Sequence, residues 1–447
     1  MQVPAALLGI HAVQTCCARL LGFAVPVLCV ALEGGVASSY PVAALSAITR
    51  VVKLLALPLL GGFVDRVPLR SLGIVAAVGQ LAGASACLAF LLAPRHGRWR
   101  DGGFSFSAVA FTGVALLTAA AELSKECTSI GLEMRVAPAI LSGKGNKELP
   151  RLNSLVKRVE LAAKFVAPLV FGWLASRIGD PMEGPRALAV TTAIIFVLGA
   201  CSVLWLWREL LTTRLEHPCS EGDSSLRAQD GRLQASSRQL LVANACPVAC
   251  MSLAFAFLFC TVLDDHDPMA TAYLISHGVG TDVLGICRSA GALSGMLGTW
   301  LWPWLQARFG LLPGAAVALW LFILVLAPVP PSLKLSPYCM LALVTLSRPF
   351  LWSFDLAMVS VLQELVPEAR RGTWAGAQGV ACQLMELMIS SLAVSLSGYS
   401  GSGSFLALAK ASYFSVFSAG VIFTASSFAF LRAARLSAIP VAEYRAA

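Results

Sequence analysis

The sequence predicts an all-α, polytopic membrane protein of about twelve transmembrane helices in two six-helix halves. Three observations carry this reading. Of 447 residues, 57% are apolar and only 13% charged, and the mean hydropathy is +0.76. Soluble chains run roughly 45–50% apolar and about 25% charged, so too few charges are present to cover a soluble surface. Second, apolar runs of about 20 residues, the length that crosses a bilayer, recur between short polar turns. Third, one polar stretch of a different kind lies near the middle of the chain. A soluble enzyme, a disordered chain and a single-span receptor are excluded together.

The runs fall at 4–32, 41–63, 70–93, 106–131, 152–176, 187–210, 242–263, 281–306, 311–329, 336–364, 374–397 and 404–432. Polar turns such as 94–103 and 179–185 divide them. Arg214 to Gln239 is rich in Ser, Gly, Asp and Arg, the composition of a flexible linker that lacks the apolar surface to fold. The organisation expected is therefore a first half at 1–210, a linker at 211–241, a second half at 242–432 and a tail at 433–447. Two such halves around a midplane site are the layout of parallel-repeat transporters.

The formal net charge is +9, but the cations sit in short loops, where they set orientation rather than bind nucleic acid. Loops after even-numbered spans, taken with the starts of the spans that follow them, hold 15 of them and the opposite loops 6. The first set includes Arg66, Arg70, Arg135, Arg308, Arg370 and Arg371; the second includes Arg95, Arg98 and Lys334. Both termini and the linker are thereby expected on the cytosolic side. Most of the 13 cysteines, Cys16, Cys17, Cys87 and Cys127 among them, lie inside apolar runs, where Cys behaves as a small hydrophobe. A reduced set of structural thiols is expected. No cleavable leader is visible, and the organelle stays open.

After the second span the chain reads Gly61, Gly62, Phe63, Val64, Asp65, Arg66, with Arg70 four further on. This resembles motif A of the major facilitator superfamily. Gly61 would let two helices approach, and Asp65 would take a charge-assisted bond that holds one gating state. An ordinary tight cytosolic turn is the plainer reading.

The strongest anomaly is Thr261, Val262, Leu263, Asp264, Asp265, His266, Asp267, Pro268. Carboxylates facing lipid would each cost on the order of 2.5–3.5 kcal/mol, and Pro268 disfavours helix at the residue before it. A break in the seventh helix is expected here, and broken helices are tolerated where they line a cavity. Carboxylates with an imidazole suit Fe²⁺, Mn²⁺ or Zn²⁺. An exposed loop with all four side chains solvated fits the same spacing. Elsewhere Glu122, Lys125 and Glu126 share a face of the fourth span, and Arg288, Asp355 and Glu386 interrupt later ones. Glu386 has no partner near in sequence and is expected to face a cavity. His11, followed by Cys16 and Cys17, is either a packed residue or a metal ligand. Nucleophile elbows, phosphate-binding loops and metalloprotease histidine pairs are absent, so no enzyme activity is expected and transport would run on gradients.

Longer strings resemble the ferroportin (solute carrier 40) family of iron exporters. The clearest is Leu351, Trp352, Ser353, Phe354, Asp355 and Leu356, with Arg348 before it and Gln363, Glu364, Arg371 and Gly372 after it. Supporting strings are Leu152, Asn153, Arg158 and Glu160 in the fifth span; Leu253 to Phe255 with Thr261 to Leu263 in the seventh; Gly291 to Thr299 in the eighth; and His11, Arg19 and Phe23 in the first. Departures also stand out. Ala18 occupies the position of a family acid, Pro268 that of a cysteine, and Ile389 that of a histidine.

The resemblance implies a divalent-metal exporter, iron foremost, working by alternating access. An organic cation or a metal chelate is the alternative cargo. On this reading Asn153, Glu160, Asp264, Asp265, His266, Asp267, Glu386 and His11 line the metal path. Asp65, Arg66, Arg70 and Arg371 gate it, while Arg348 and Asp355 are structural. No resident cofactor is expected. The partners are the lipid bilayer and the metal-ion substrate, with no nucleic acid, and the chain is expected to act as a monomer.

Overall fold

Twelve long helices are present among the described residues of a computed structural model, which are 2–32, 40–89, 108–141, 148–177, 184–215, 246–264, 270, 273–274, 277–279, 281–333, 336–397 and 402–436. They are α1 (Gln2–Leu32), α2 (Tyr40–Arg66), α3 (Leu69–Ala89), α4 (Ala108–Gly131), α5 (Glu148–Arg177), α6 (Gly184–Leu215), α7 (Cys246–Phe257), α8 (Thr281–Phe309), α9 (Leu311–Leu326), α10 (Pro337–Leu365), α11 (Arg371–Ser397) and α12 (Ser402–Leu436). Six of them, α1, α3, α6, α9, α10 and α12, are long and apolar enough by themselves to cross a membrane. The others are shorter or carry interior charges, such as Lys53 in α2 and Glu122, Lys125 and Glu126 in α4. The eleven described cysteines are free thiols.

The chain forms two compact units, Met1–Val136 with Ala162–Ser220, and Ala137–Leu161 with Glu221–Ala447. Helix α5 therefore gives its first half to the second unit and the rest to the first.

In the first unit α3 packs against α4 and α6. Small residues make this possible: Gly79 lies against Ser124, Gly83 against Phe196 and Gly73 against Trp207. Hydrogen bonds then fix the register. Ser124 Oγ donates to Val75 O at 2.6 Å and Trp207 Nε1 to Leu69 O at 2.9 Å. Interhelical hydrogen bonds and close small-residue contacts replace the hydrophobic drive that lipid removes. Helix α4 ends in a π turn, Leu132–Val136, which the apolar pattern does not foretell. It aims Arg135 at the end of α2, where Nη1 donates to the carbonyls of Val64 and Val67, each at 2.6 Å. Terminal helix carbonyls lack intrahelical partners and carry partial negative charge, so a guanidinium there satisfies both.

In the second unit α8 and α10 pair through one crossing. Pro349 in α10 has no N–H, which frees the carbonyl of Thr345 one turn earlier. Ser294 Oγ of α8 fills that vacancy at 2.8 Å. Ser353 Oγ in turn lies 3.0 Å from Gly298 O and 2.7 Å from Pro349 O. A Cβ on Gly298 would meet the Pro349 carbonyl and the Ser353 backbone nitrogen, so only glycine admits this approach. Between α8 and α9 the chain turns at Gly310, φ 84°, a left-handed conformation open to glycine at a helix end.

Helix α7 corrects the expected boundary. The apolar run to residue 263 suggested helix throughout, yet α7 stops at Phe257. Side chains of α12 replace its missing ladder: Ser415 Oγ donates to Phe257 O at 2.7 Å, and the backbone N–H of Val262 donates to Ser412 Oγ at 2.9 Å. Leu263 N–H goes to Thr261 Oγ1 at 2.9 Å. The bonds to Val262 and Leu263 spare those backbone N–H groups from lying unpaired, while Phe257 O also accepts from Cys260 N–H at 3.2 Å.

Candidate functional site

The non-helical segment after α7 leads to Asp264, and there α10 meets it. Arg348 Nη2 lies 3.0 Å from Asp264 Oδ1; the arginine side chain is 6% exposed and the carboxylate 47%. A buried guanidinium thus holds an acid whose other side stays open. Asp265, His266, Asp267 and Pro268 lie outside the described residues, as does most of the 211–241 linker. Glu386, half-buried on α11, receives a 3.4 Å contact from Gln383 Nε2.

A second cluster joins the first half of α5 to α10. Lys157 Nζ lies 2.6 Å from Asp355 Oδ2 and 2.8 Å from Glu160 Oε2, and its ammonium sits 4.9 Å from the centre of the Trp352 ring. Glu160 is one helical turn beyond Lys157, so this pair follows from spacing. Asp355 is recruited across the interface. One turn before Lys157, Asn153 Nδ2 donates to Gln363 Oε1 at 2.7 Å, and Gln363 Nε2 returns the bond at 3.3 Å. Both amides are nearly sealed from solvent, at 4% and 2% exposure. Arg158 completes the face, with Nε donating to Thr299 Oγ1 at 2.8 Å and the guanidinium over Trp300. Asn153 is therefore engaged by Gln363 and Glu160 by Lys157, whose ammonium Asp355 shares.

In the first unit His11 is buried on α1. Lys53 of α2 pairs with Glu122 of α4 at 3.3 Å, and Lys125 with Glu126 at 3.4 Å. Glu122 and Lys125 wall a small pocket that Gln14, Gln80, Gly79 and Phe196 also line. Gln14 Nε2 and Gln80 Oε1 are buried with no hydrogen-bond partner. Sequence reasoning passed over both glutamines, although an amide inside an apolar helix was the available signal. Of the gating candidates, Asp65 is half-buried and Arg66 and Arg70 are exposed. Arg371 donates from Nε to Val366 O at 3.0 Å, closing the turn between α10 and α11. Among the described residues no three metal-ligating side chains cluster.

A family model described as Ferroportin1 matches residues 2–416. The chain belongs to the ferroportin family. Solute carrier family 40 member 2 of Arabidopsis thaliana is 25% identical over 319 residues, which cover 62% of this chain and 60% of that protein. The chain thus spans about three fifths of that relative. Solute carrier family 40 member 1 of Oryza sativa subsp. japonica is 24% identical, over 70% of this chain and 69% of that one. A bacterial homologue of iron transporter ferroportin, solved in an outward-facing state with soaked iron, superposes with a TM-score of 0.76 at 21% identity. That match covers 95% of this chain and 99% of the other. The major facilitator proton:xylose symporter XylE gives 0.66 at 15% identity, covering 96% of each. The ferroportin-family fold is thus of the major facilitator type, and the chain is an integral, multi-pass membrane protein.

Proposed function

We propose that this chain carries a divalent metal ion, iron foremost, across its membrane by gradient-driven alternating access. The observation that carries the reading is the early end of α7. Non-helical backbone at membrane depth is tolerated only where it is buried in protein or lines a watery cavity, and here it leads to Asp264. Asp265, His266 and Asp267 follow directly in sequence. Hard oxygen donors with one imidazole match Fe²⁺ or Mn²⁺. Arg348 tethers the first acid, which leaves the following three as the principal ligands, with Glu386 as the acid of α11 that would join them. Family membership and the soaked iron of the bacterial homologue support the same cargo.

Lys157 supplies a switch. Its ammonium is shared by Glu160 on its own helix and Asp355 on α10, so a shift of α5 against α10 would release Asp355 while Glu160 keeps the charge compensated. Asp65, Arg66, Arg70 and Arg371 would gate the cytosolic side. One observation favours a second cargo, an organic cation or a metal chelate: Asn153 and Glu160 are engaged by protein partners, which leaves fewer groups to strip a bare ion of water.

Reconstituted flux separates the two. Replacing Asp265 and His266 by Ala is expected to abolish saturable Fe²⁺ and Mn²⁺ flux in proteoliposomes while the protein stays monodisperse. Undiminished flux would remove those residues from the path. Flux of an organic cation that bare metal fails to compete away would establish the second reading.

A further inference from the structure

Helix α8 carries one exposed stripe along its length. Ile286, Leu293, Leu297, Trp300 and Trp304 are each more than half exposed, and their spacing keeps them on one helix face. A face both exposed and wholly apolar belongs to lipid. The stripe ends at Arg308, one turn past Trp304, which is exposed and lies 5.9 Å from the centre of the Phe309 ring.

Arg158 of α5 stands beside this stripe, its guanidinium 4.4 Å from the centre of the Trp300 ring. Its Nε donates to Thr299 Oγ1 at 2.8 Å, and that hydroxyl gives its own proton to Met296 O at 2.7 Å. One of the five guanidinium N–H donors thus fixes the group and four remain. Among the described residues no carboxylate pairs with Arg158 or Arg308, and no acceptor meets the indole N–H of Trp300 or Trp304. Glu148, the acid at the start of α5, is taken by Arg151 at 3.3 Å. Arg158 lies ten residues into α5, and Trp300 nine before the end of α8, about 15 Å from either helix end. In a bilayer with about 30 Å of hydrocarbon, that is about 8 Å beneath the headgroup boundary. A cation at such depth needs a counter-charge or a route back to the surface.

Donors without acceptors, set beside an apolar stripe, describe an amphiphile with an anionic head. We propose that Arg158, Arg308 and Trp304 bind the phosphate of an anionic phospholipid, with an acyl chain lying along Leu297, Leu293 and Ile286. Basic pockets between membrane helices hold anionic headgroups in this way. A guanidinium fork takes two phosphate oxygens at once, whereas a zwitterionic lipid brings an ammonium that competes for them. Loop charge bias puts this end of both helices on the cytosolic side. The site does not rest on the transport reading.

The full chain, purified in detergent, is titrated with phosphatidylglycerol or phosphatidylcholine of identical chains, and bound lipid is counted by native mass spectrometry. Phosphatidylglycerol is expected to add first. Arg158→Gln and Arg308→Gln are each expected to weaken that addition about fivefold, the worth of one arginine near an anionic surface. Arg432→Gln, at an exposed position near the end of α12, is expected to leave it unchanged. Equal binding of the two lipids, or an equal loss in the Arg432 variant, overturns the site. So does displacement of phosphatidylglycerol by inorganic phosphate, which would make the partner a free anion. Should Arg158→Gln fail to fold, Arg308→Gln decides against the same control.

Discussion

Lys157 neutralises two carboxylates at once, and its loss should be felt as both instability and misgating. With side chains 13–21% exposed, the cluster falls between a surface pair, worth about 0–1 kcal/mol, and a buried one, worth about 3–5. Lys157→Met is therefore expected to lower unfolding free energy by about 1–3 kcal/mol in detergent. A double-mutant cycle with Asp355→Asn checks the link: coupling of about 0.5 kcal/mol or more is expected, and additive effects would show the pair to be uncoupled. Asn153→Ala leaves the buried Gln363 amide without its reciprocal bonds, an expected loss of about 1–3 kcal/mol. Adding Gln363→Leu should restore most of it, because two apolar groups need no partner. Asn153 and Glu160 enter the expected metal path by position, as what the ferroportin resemblance implies. Gln363, the partner of Asn153, and Asp355, the second partner of Lys157, lie some two hundred residues further on, and helical periodicity says nothing about contacts at that range.

Helices were the most legible level. Runs of apolar residues locate all twelve, because a bilayer demands the same length from each. What the runs missed has local causes. The π turn after α4 exists to deliver Arg135 to the end of α2, a tertiary demand that leaves no mark on hydropathy. The early stop of α7 is likewise set by serines on α12, and apolar content alone reads straight through it. Two variants test these elements. Gly298→Ala should destabilise by about 1–3 kcal/mol, the usual range for overpacking, because the added methyl meets α10 backbone. Gly62→Ala, with open space around it, should be neutral or slightly stabilising. Similar unfolding midpoints for the two would show that the α8–α10 crossing is looser than its hydrogen bonds indicate. Ser412→Ala with Ser415→Ala should increase amide exchange at residues 257–263 and leave α12 protected.

At the scale of the whole molecule, the loop charges predict orientation. An epitope inserted in the 211–241 linker should be reached by antibody only after the cytosolic face is exposed; labelling of intact cells would invert the topology. Asp65→Asn should change the balance between inward- and outward-open forms, read as side-specific alkylation, whatever the cargo. Family and architecture were legible in the sequence because Leu351 to Leu356 and the spacing of the runs are both local signals. The proposed cargo site is less so, since Asp264, Asp265, His266 and Asp267 follow one another in sequence with no periodic pattern to place them.

The stretch just after α7 stands apart from the helices around it. The chain between Phe257 and Leu263 owes its path to backbone turns, to hydroxyls on a neighbour and to Thr261. Its side chains answer to a few named hydroxyls rather than to a helical ladder, while the surrounding rods are locked by glycine and serine contacts.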